Sequence, residues 1–422
     1  MPFALQAVIW GLITLSVVVF LHEGGHFLAA RLFGVRVHEF MLGLPGPKLS
    51  FQRGDTRYGV TAIPFGGYTK TAGMDGDVHN PHLQSVLVSV TQEGAPVTAA
   101  QVAERCQIAE DEAALVLDTL VDWYALTYDA EQQTWTSVFG AEQAADADAL
   151  FAKAKEHTYL GLPFWKRAVV LLAGILVNVV FAIIVFTVVL SVWGQMTYRG
   201  KVNPVAKGPA AAAGLKAGDV ITRVNSTKVV SFDDITKALA HLRPGDKVTV
   251  VYTSPGKGAS AREQTKIVLG HNPQDKSVGY LGVEAVAEQV PLSVPHALGQ
   301  SFSFVKLTVQ GILGFFTPGK FTQSVNNSAS IVGISVIAAE VAKTSALDYA
   351  QLVAAISLSL GLMNLLPIPP LDGGKVIIEG IERLRRKPLS LKANAGVSAV
   401  GLLLLVTFMI YVMGHDIFRI VK

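Results

Sequence analysis

Four stretches of the chain run almost unbroken in apolar side chains: Phe3 to Leu21, Ala168 to Trp193, about Tyr349 to Ile368, and Ala395 to Met413. A helix needs roughly 20 such residues to cross about 30 Å of hydrocarbon, so the pattern predicts four transmembrane helices. The first lacks a basic leader and a small-x-small cleavage site, and its apolar pattern continues through HFLAARLF, so it reads as a retained span. After it the period changes. Within 34–76 the β-prone stretches HEFML, PKLSFQ and RYGVTAI alternate with Gly, Pro and Asp, and the loops GLPGP and PFGGY predict hairpins close to the membrane. The stretch 77–160 is soluble in character. It shows helical periodicity twice and then β-prone residues around a turn at Asp129, the order of a small winged-helix unit. In 197–290 strands alternate with turns around one helix, SFDDITKALAHL, with Ser231 as its N-cap and Asp233 and Asp234 at its positive end. The stretch 291–348 is moderately apolar but broken by TPGK and VNNSAS, which predicts amphipathic or re-entrant helices.

Composition agrees with the hydropathy pattern. Of 422 residues, 50% are hydrophobic and 16% charged, and the mean hydropathy of +0.42 is that of a membrane protein. The fold class expected is an α-helical polytopic membrane protein with a membrane-associated β-hairpin region and one α+β domain outside the membrane. A net charge of +3 does not point to nucleic acid. In the winged-helix-like stretch acidic residues far outnumber Arg105, Lys153 and Lys155, so a phosphate backbone would be repelled and a protein-contact or spacer role is expected. A single cysteine, Cys106, excludes a disulfide framework and a multi-cysteine metal site.

Basic residues set the expected orientation. Arg31 and Arg36 follow the first span, Lys166 and Arg167 precede the second, and Glu382 to Lys387 lie between the third and fourth. The positive-inside rule makes that side cytoplasmic and puts both termini outside. The expected organisation is therefore a first span at 1–33, the β-rich region and acidic insert in the cytoplasm, and a second span at 161–196. The α+β domain then lies outside, followed by a third span at 349–376, a basic cytoplasmic loop at 377–394, and a fourth span with its tail at 395–422.

Candidate chemistry begins where the first span ends, at HEGGH. On a helix His22 and His26 share one face, and their imidazoles can share a Zn²⁺ ion. Glu23 can reach a water on the open metal position as general base. Gly24 and Gly25 leave room for another helix or a substrate backbone. Ionisable side chains inside spans are costly and face a partner or a cavity. A third protein ligand is needed, and Asp372 follows the third span at the matching end, whereas Glu379 and Glu382 sit further toward the basic loop. Pro367, Pro369 and Pro370 break the helix before it and free backbone groups that a cavity can accommodate. Asn364, one turn earlier, could donate to a substrate carbonyl or bond a neighbouring helix, and Asn178 on the second span is a similar amide.

Outside the membrane, GPAAAAGLKAGDVITRVNSTKVVSFDDI is similar to PDZ domains, and GYLGV resembles their carboxylate-binding loop and peptide-pairing strand. Gly279, Tyr280, Leu281 and Gly282 are then the expected contacts for a peptide C-terminus or an extended segment. Together, HEGGH, PFGGYTK, AGILVNVVFA, the PDZ-like stretch and NLLPIPPLDGG resemble the site-2 protease family, and more narrowly the bacterial regulator-of-sigma-E protease group. The resemblance implies an intramembrane zinc metalloprotease of the bacterial inner membrane. Its substrates would be single-span membrane proteins, anti-sigma factors or remnant signal peptides, cut after another protease removes the outer domain. It assigns zinc ligation to His22, His26 and Asp372, base catalysis to Glu23, and substrate handling to Asn364. Gly66, Gly67 and Tyr68 fall in the β-loop that presents substrate as a strand, and the PDZ-like domain would exclude substrates with bulky outer domains. The acidic insert has no counterpart in the motifs of the family.

Overall fold

The structure, a computed structural model, describes all residues except 75–79, 256–261, 274, 327, 388 and 422, and the backbone alone at 64, 65, 391 and 419–421. The expected start of the insert, Asp77, lies outside the described residues. Two compact units result, Met1–Phe186 with Ser301–Lys422, and Thr187–Gln300. Among the described residues, four helices are long and apolar enough to cross a membrane: Phe3–Leu32, Phe164–Val192, Ala346–Asn364 and Lys392–Phe418.

Helix α1 (Phe3–Leu32) buries Ala7, Gly11, Thr14, Val18, His22, Gly25 and Ala29, a stripe at helical spacing made mostly of small residues. Its other faces expose Val8, Ile13, Phe20 and Leu28, as suits lipid. Strands β1 (Val37–Arg53) and β2 (Thr56–Thr71) follow as an antiparallel ribbon reversed at Gly54 and Asp55. Glu39 to Leu42 each have two partners on β2, once at Lys70 to Gly67 and again at Arg57 to Val60, so β2 doubles back past them.

The segments GLPGP and PFGGY, expected as hairpin turns, lie within the strand bounds, and each joins two arms that have a partner strand between them. The chain does reverse direction there, since Glu39 to Leu42 run antiparallel to Lys70 to Gly67 but in the same direction as Arg57 to Val60. Gly43 and Gly66 have φ of +97° and +90°, open only to glycine without strain, and a Cβ on Gly43 would fall 2.1 Å from Thr61 Oγ1. Pro45 and Pro47 cannot donate to a ladder, and pairing skips from Leu44 to Lys48.

The insert packs α2 (Leu83–Glu93), α3 (Ala99–Cys106), α4 (Glu110–Asp122), the hairpin β3 (Leu126–Asp129) and β4 (Thr134–Ser137), and α5 (Ala147–Lys155). Its core holds Leu87, Val116, Leu117, Leu120, Trp123 and Trp135, and Val97 adds a bridge to Trp135. Asp122 ties this core to the ribbon. One carboxylate oxygen lies 3.0 Å from His38 Nε2 and the other accepts the Gly73 amide at 2.9 Å. The Tyr124 ring stacks on His38 at 4.8 Å and lies under the Arg36 guanidinium. The chain returns where it left, since the Tyr159 amide donates to Ala72 O at 2.8 Å and the Arg36 amide to His157 O at 3.0 Å.

Helix α6 (Phe164–Val192) leads to β5 (Gln195–Pro204), α7 (Pro209–Ala212), β6 (Asp219–Val224), β7 (Thr227–Lys228), α8 (Phe232–Leu239), β8 (Lys247–Thr253), β9 (Arg262–Val268), β10 (Gly270–His271), β11 (Gly279–Tyr280) and β12 (Val283–Val290). The main sheet runs β12-β5-β6-β8-β9, with β7 paired to β6. Val202, Ile221, Ile235, Val250, Ile267 and Leu281 fill its core. The Asp234 carboxylate accepts the amides of Val230 and Ser231 and closes the start of α8.

The remaining helices are α9 (Val294–Gly314), α10 (Phe321–Asn326), α11 (Ile331–Thr344), α12 (Ala346–Asn364), α13 (Asp372–Arg385) and α14 (Leu391–Val421). The sequence places a third span through residue 376; the helix stops at Asn364 and a separate one starts at Asp372, with the three prolines between them. Helix α11 packs on α1 so closely that a Cβ on Gly11 would fall 2.1 Å from Ser335 Oγ. The Ser330 amide at its start donates to Asp416 on α14. Thr14 and Tyr349 hydroxyls, 2.9 Å apart, link α1 to α12. Asn178 on α6 is fully buried beside Gly361 of α12, and its backbone oxygen accepts the Ser357 hydroxyl at 3.2 Å.

Candidate metal centre

The histidines of α1 project to one side because four residues make one helical turn. Asp372 meets them from the first turn of α13. Its Oδ2 lies 3.1 Å from His22 Nε2 and 3.3 Å from His26 Nε2, and the two nitrogens are 3.3 Å apart. The DGG sequence lets α13 begin there, since a Cβ on Gly373 or Gly374 would come within 2.3 Å of the backbone of Leu365 or Pro369. Among the described residues this is the one group of three or more His, Cys, Asp and Glu side chains whose donor atoms converge.

The tautomer of His26 follows from its neighbour. Nδ1 donates to Val170 O at 2.8 Å, which leaves a lone pair on Nε2 directed at the cluster. His22 Nδ1 is buried with no partner among the described residues. Room for an ion comes from α6. A Cβ on Gly174 would fall 2.5 Å from His26 Nε2 and 2.9 Å from His22 Cε1, and one on Gly25 would fall 2.5 Å from Ala173 O. Two imidazole nitrogens and one carboxylate oxygen, with one side left open, form a donor set that fits Zn²⁺. Nothing in the sequence reading singled out Gly174; its signal was a small residue opposite Gly25 in AGILVN.

Glu23 stands beside the cluster. Its Oε2 is 2.9 Å and its backbone oxygen 3.2 Å from the Thr69 hydroxyl of β2. The ribbon reaches this point through Gly67, where a Cβ would fall 2.9 Å from Val19 Cγ1 and 3.3 Å from Glu23 Cγ. Both Gly66 and Tyr68 line the same cavity of about 1050 Å³, together with His22, Glu23, His26, Asn364 and Asp372. Asn364 donates through Nδ2 to Leu360 O, 3.0 Å away on its own helix.

Two polar networks border the cavity. The Tyr68 hydroxyl donates to Glu39 at 2.8 Å, and Lys48 pairs with the same carboxylate. Burial, then the Glu39 contact, push the Tyr68 phenol up to about 12. Burial works to raise Glu39, but its bonds to Lys48 and Tyr68 outweigh that and hold it below the usual glutamate value. On the other side, Glu379 accepts the Tyr159 hydroxyl and lies 3.5 Å from Arg167 Nε, joining α13 to α6. Burial raises both Tyr159 and Glu379.

The four PDZ-type positions lie in the other unit. The Gly279 amide donates to Leu242 O, Tyr280 pairs with Gly270, and Leu281 is in the core with its oxygen accepting the Ala210 amide. Gly282, at φ +75°, turns the chain into β12. That strand pairs with β5 on one side and forms an edge of the sheet.

The profile of peptidase family M50 matches residues 10–408. The chain belongs to peptidase family M50, the site-2 proteases. With them it is a metalloprotease. It is 30% identical to the zinc metalloprotease RasP of Shouchella clausii over 96% of this chain and 97% of that one. A putative zinc metalloprotease of Mesorhizobium japonicum is 29% identical, again over 96% and 97%. Among solved structures, this M50 chain is similar to the PDZ domain of an SdrC-like protein from Listeria monocytogenes. The identity is 28% over 22% of this chain and 93% of that one, with a TM-score of 0.19.

Proposed function

We propose that this M50 chain is an intramembrane zinc metalloprotease that hydrolyses peptide bonds within single-span membrane proteins, such as anti-sigma factors or remnant signal peptides, after their outer domain has been removed. His22, His26 and Asp372 hold the zinc, and Glu23 is the general base. The observation that carries this reading is the convergence of three donor atoms within 4.8 Å beside a glutamate, with two of them and the glutamate on a helix apolar enough to span a membrane.

A zinc ion held there supplies Lewis acidity to water and to the scissile carbonyl. Glu23 takes a proton from the attacking water and passes it to the leaving amine. The cavity walls organise the substrate. Gly66, Gly67 and Tyr68 offer a strand beside Glu23, and Asn364, with one amide proton engaged by Leu360, has a second for a substrate carbonyl. A helical substrate hides its carbonyls and must unwind locally, so helix-weak residues near the cut would favour cleavage. The PDZ-type positions Gly279, Tyr280, Leu281 and Gly282 receive a peptide C-terminus or an extended segment along the free side of β12. The enzyme sits in the bacterial inner membrane, with the PDZ-like domain outside and the acidic insert in the cytoplasm. The flanking basic residues Arg31, Arg36, Lys166 and Arg167 support that orientation.

The test is to incubate the purified protein in detergent with single-span substrates lacking outer domains, next to Glu23→Gln. The variant is expected to keep zinc and cut nothing. Full cleavage by Glu23→Gln would remove the glutamate from its role.

A further inference from the structure

The Glu23 carboxylate is not held by its own helix. Its one hydrogen-bond partner among the bonds described around it is the Thr69 hydroxyl, 46 residues away on β2. A glutamate side chain has several rotatable bonds and loses freedom only where a partner fixes it. Thr69 Oγ1 sits 2.9 Å from Oε2 and 3.2 Å from the Glu23 backbone oxygen, and the shorter contact is the one to the carboxylate. The strand carrying Thr69 is itself fixed. Thr69 pairs with Phe40, Gly67 closes on Val19 and Glu23 Cγ, and the Gly73 amide is bound by Asp122.

We propose that Thr69 is a positioning residue for the reaction: its hydroxyl holds Oε2 of Glu23 and so presents Oε1 to the attacking water. The idea rests on the reading of Glu23 as base. A hydroxyl carries a single proton, so Oε2 is occupied as an acceptor and Oε1 is the oxygen free to take the water proton. The base is thereby set by the ribbon, and a displacement of β2 moves it. A misplacement of about 1 Å in such a group costs on the order of 100-fold in rate.

The experiment compares Thr69→Val, which keeps the shape and removes the hydroxyl, with Thr69→Ser, which keeps the hydroxyl. Both are purified at full length in detergent and assayed on a single-span substrate, with zinc content measured on each. Thr69→Val is expected to lower kcat about 10- to 100-fold with KM and zinc content unchanged, and Thr69→Ser to restore most of it.

Wild-type kcat in Thr69→Val overturns the proposal. So does a loss that falls in KM or in zinc content, or a serine variant no better than valine. Should Thr69→Val fail to accumulate, Thr69→Ala against Thr69→Ser gives the same contrast. Activity in Glu23→Gln would instead sink the base assignment, whereas an inactive Glu23→Gln beside a fully active Thr69→Val sinks the role of Thr69 alone.

Discussion

Gly174→Ala adds one methyl group where α6 faces the two histidines. That methyl would sit 2.5 Å from His26 Nε2, 2.7 Å from the His22 carbonyl oxygen and 2.9 Å from His22 Cε1, against an ordinary contact of 3.4 Å or more. The closest approach is thus about 0.9 Å too short, while zinc-ligand distances vary by only about 0.2 Å. The two helices are in close contact here, since Gly25 lies against the backbone of Ala173 and Gly174, so room for the methyl requires a shift of the helices or of the imidazoles. Overpacking of this kind costs about 1–3 kcal/mol. Taken from the metal-bound geometry, it corresponds to a zinc affinity lower by roughly 5- to 150-fold. Competition against a fluorescent chelator in detergent would read that affinity, with Gly24→Ala as the comparison. A Cβ on Gly24 meets nothing within 4 Å, so that variant should bind zinc as wild type does. Wild-type affinity in Gly174→Ala would refute the claim that α6 sets the space for the ion.

Asp372→Ala should weaken both zinc retention and cleavage, as metal analysis and the substrate assay would show, because a two-histidine site lacks the third ligand of a usual catalytic zinc centre. Asp122→Ala leaves the Gly73 amide without its partner and His38 with only the residue 122 backbone oxygen, at a cost of about 1–3 kcal/mol; limited proteolysis should cut faster between the ribbon and the insert, and unchanged cutting would contradict the clamp. The depressed value of Glu39 makes its contribution to the ribbon fully present above the ordinary glutamate range and lost as pH falls through its folded value. Hydrogen-exchange protection over β1, taken relative to the intrinsic rate at each pH, should therefore fall in acid for wild type, and Glu39→Gln should flatten that dependence.

Much of this arrangement is written in local patterns. Four apolar runs announce the spans, and the four-residue spacing of His22 and His26 announces a shared face. Asp372 could be named because a carboxylate after a proline-broken helix is rare at membrane depth. What local pattern does not carry is pairing across long separations. The turns at Gly43 and Gly66 are visible in the sequence, but only the double set of partners at Glu39 to Leu42 distinguishes a folded-over ribbon from a series of separate hairpins. Thr69 looks like any strand threonine until its strand is laid beside α1. Gly174 was hidden for a similar reason, since a glycine in an apolar span gains meaning from what a side chain there would strike. Helix α11, too short to span, gave no sign that it would cover α1.

The adjacent ends of the insert have an evolutionary reading. Because Tyr159 is hydrogen-bonded to Ala72, the whole module hangs from a single doorway beside β2. Loop-closure entropy rises only slowly with length, and sites where two chain ends meet are those that tolerate inserted domains. Lineages are therefore free to exchange, enlarge or shed what hangs there while α1, α6 and α13 keep their spacing. The one obligation on a replacement is to supply what Asp122 gives to His38 and Gly73, which makes this position a natural grafting point for other modules on an unchanged core.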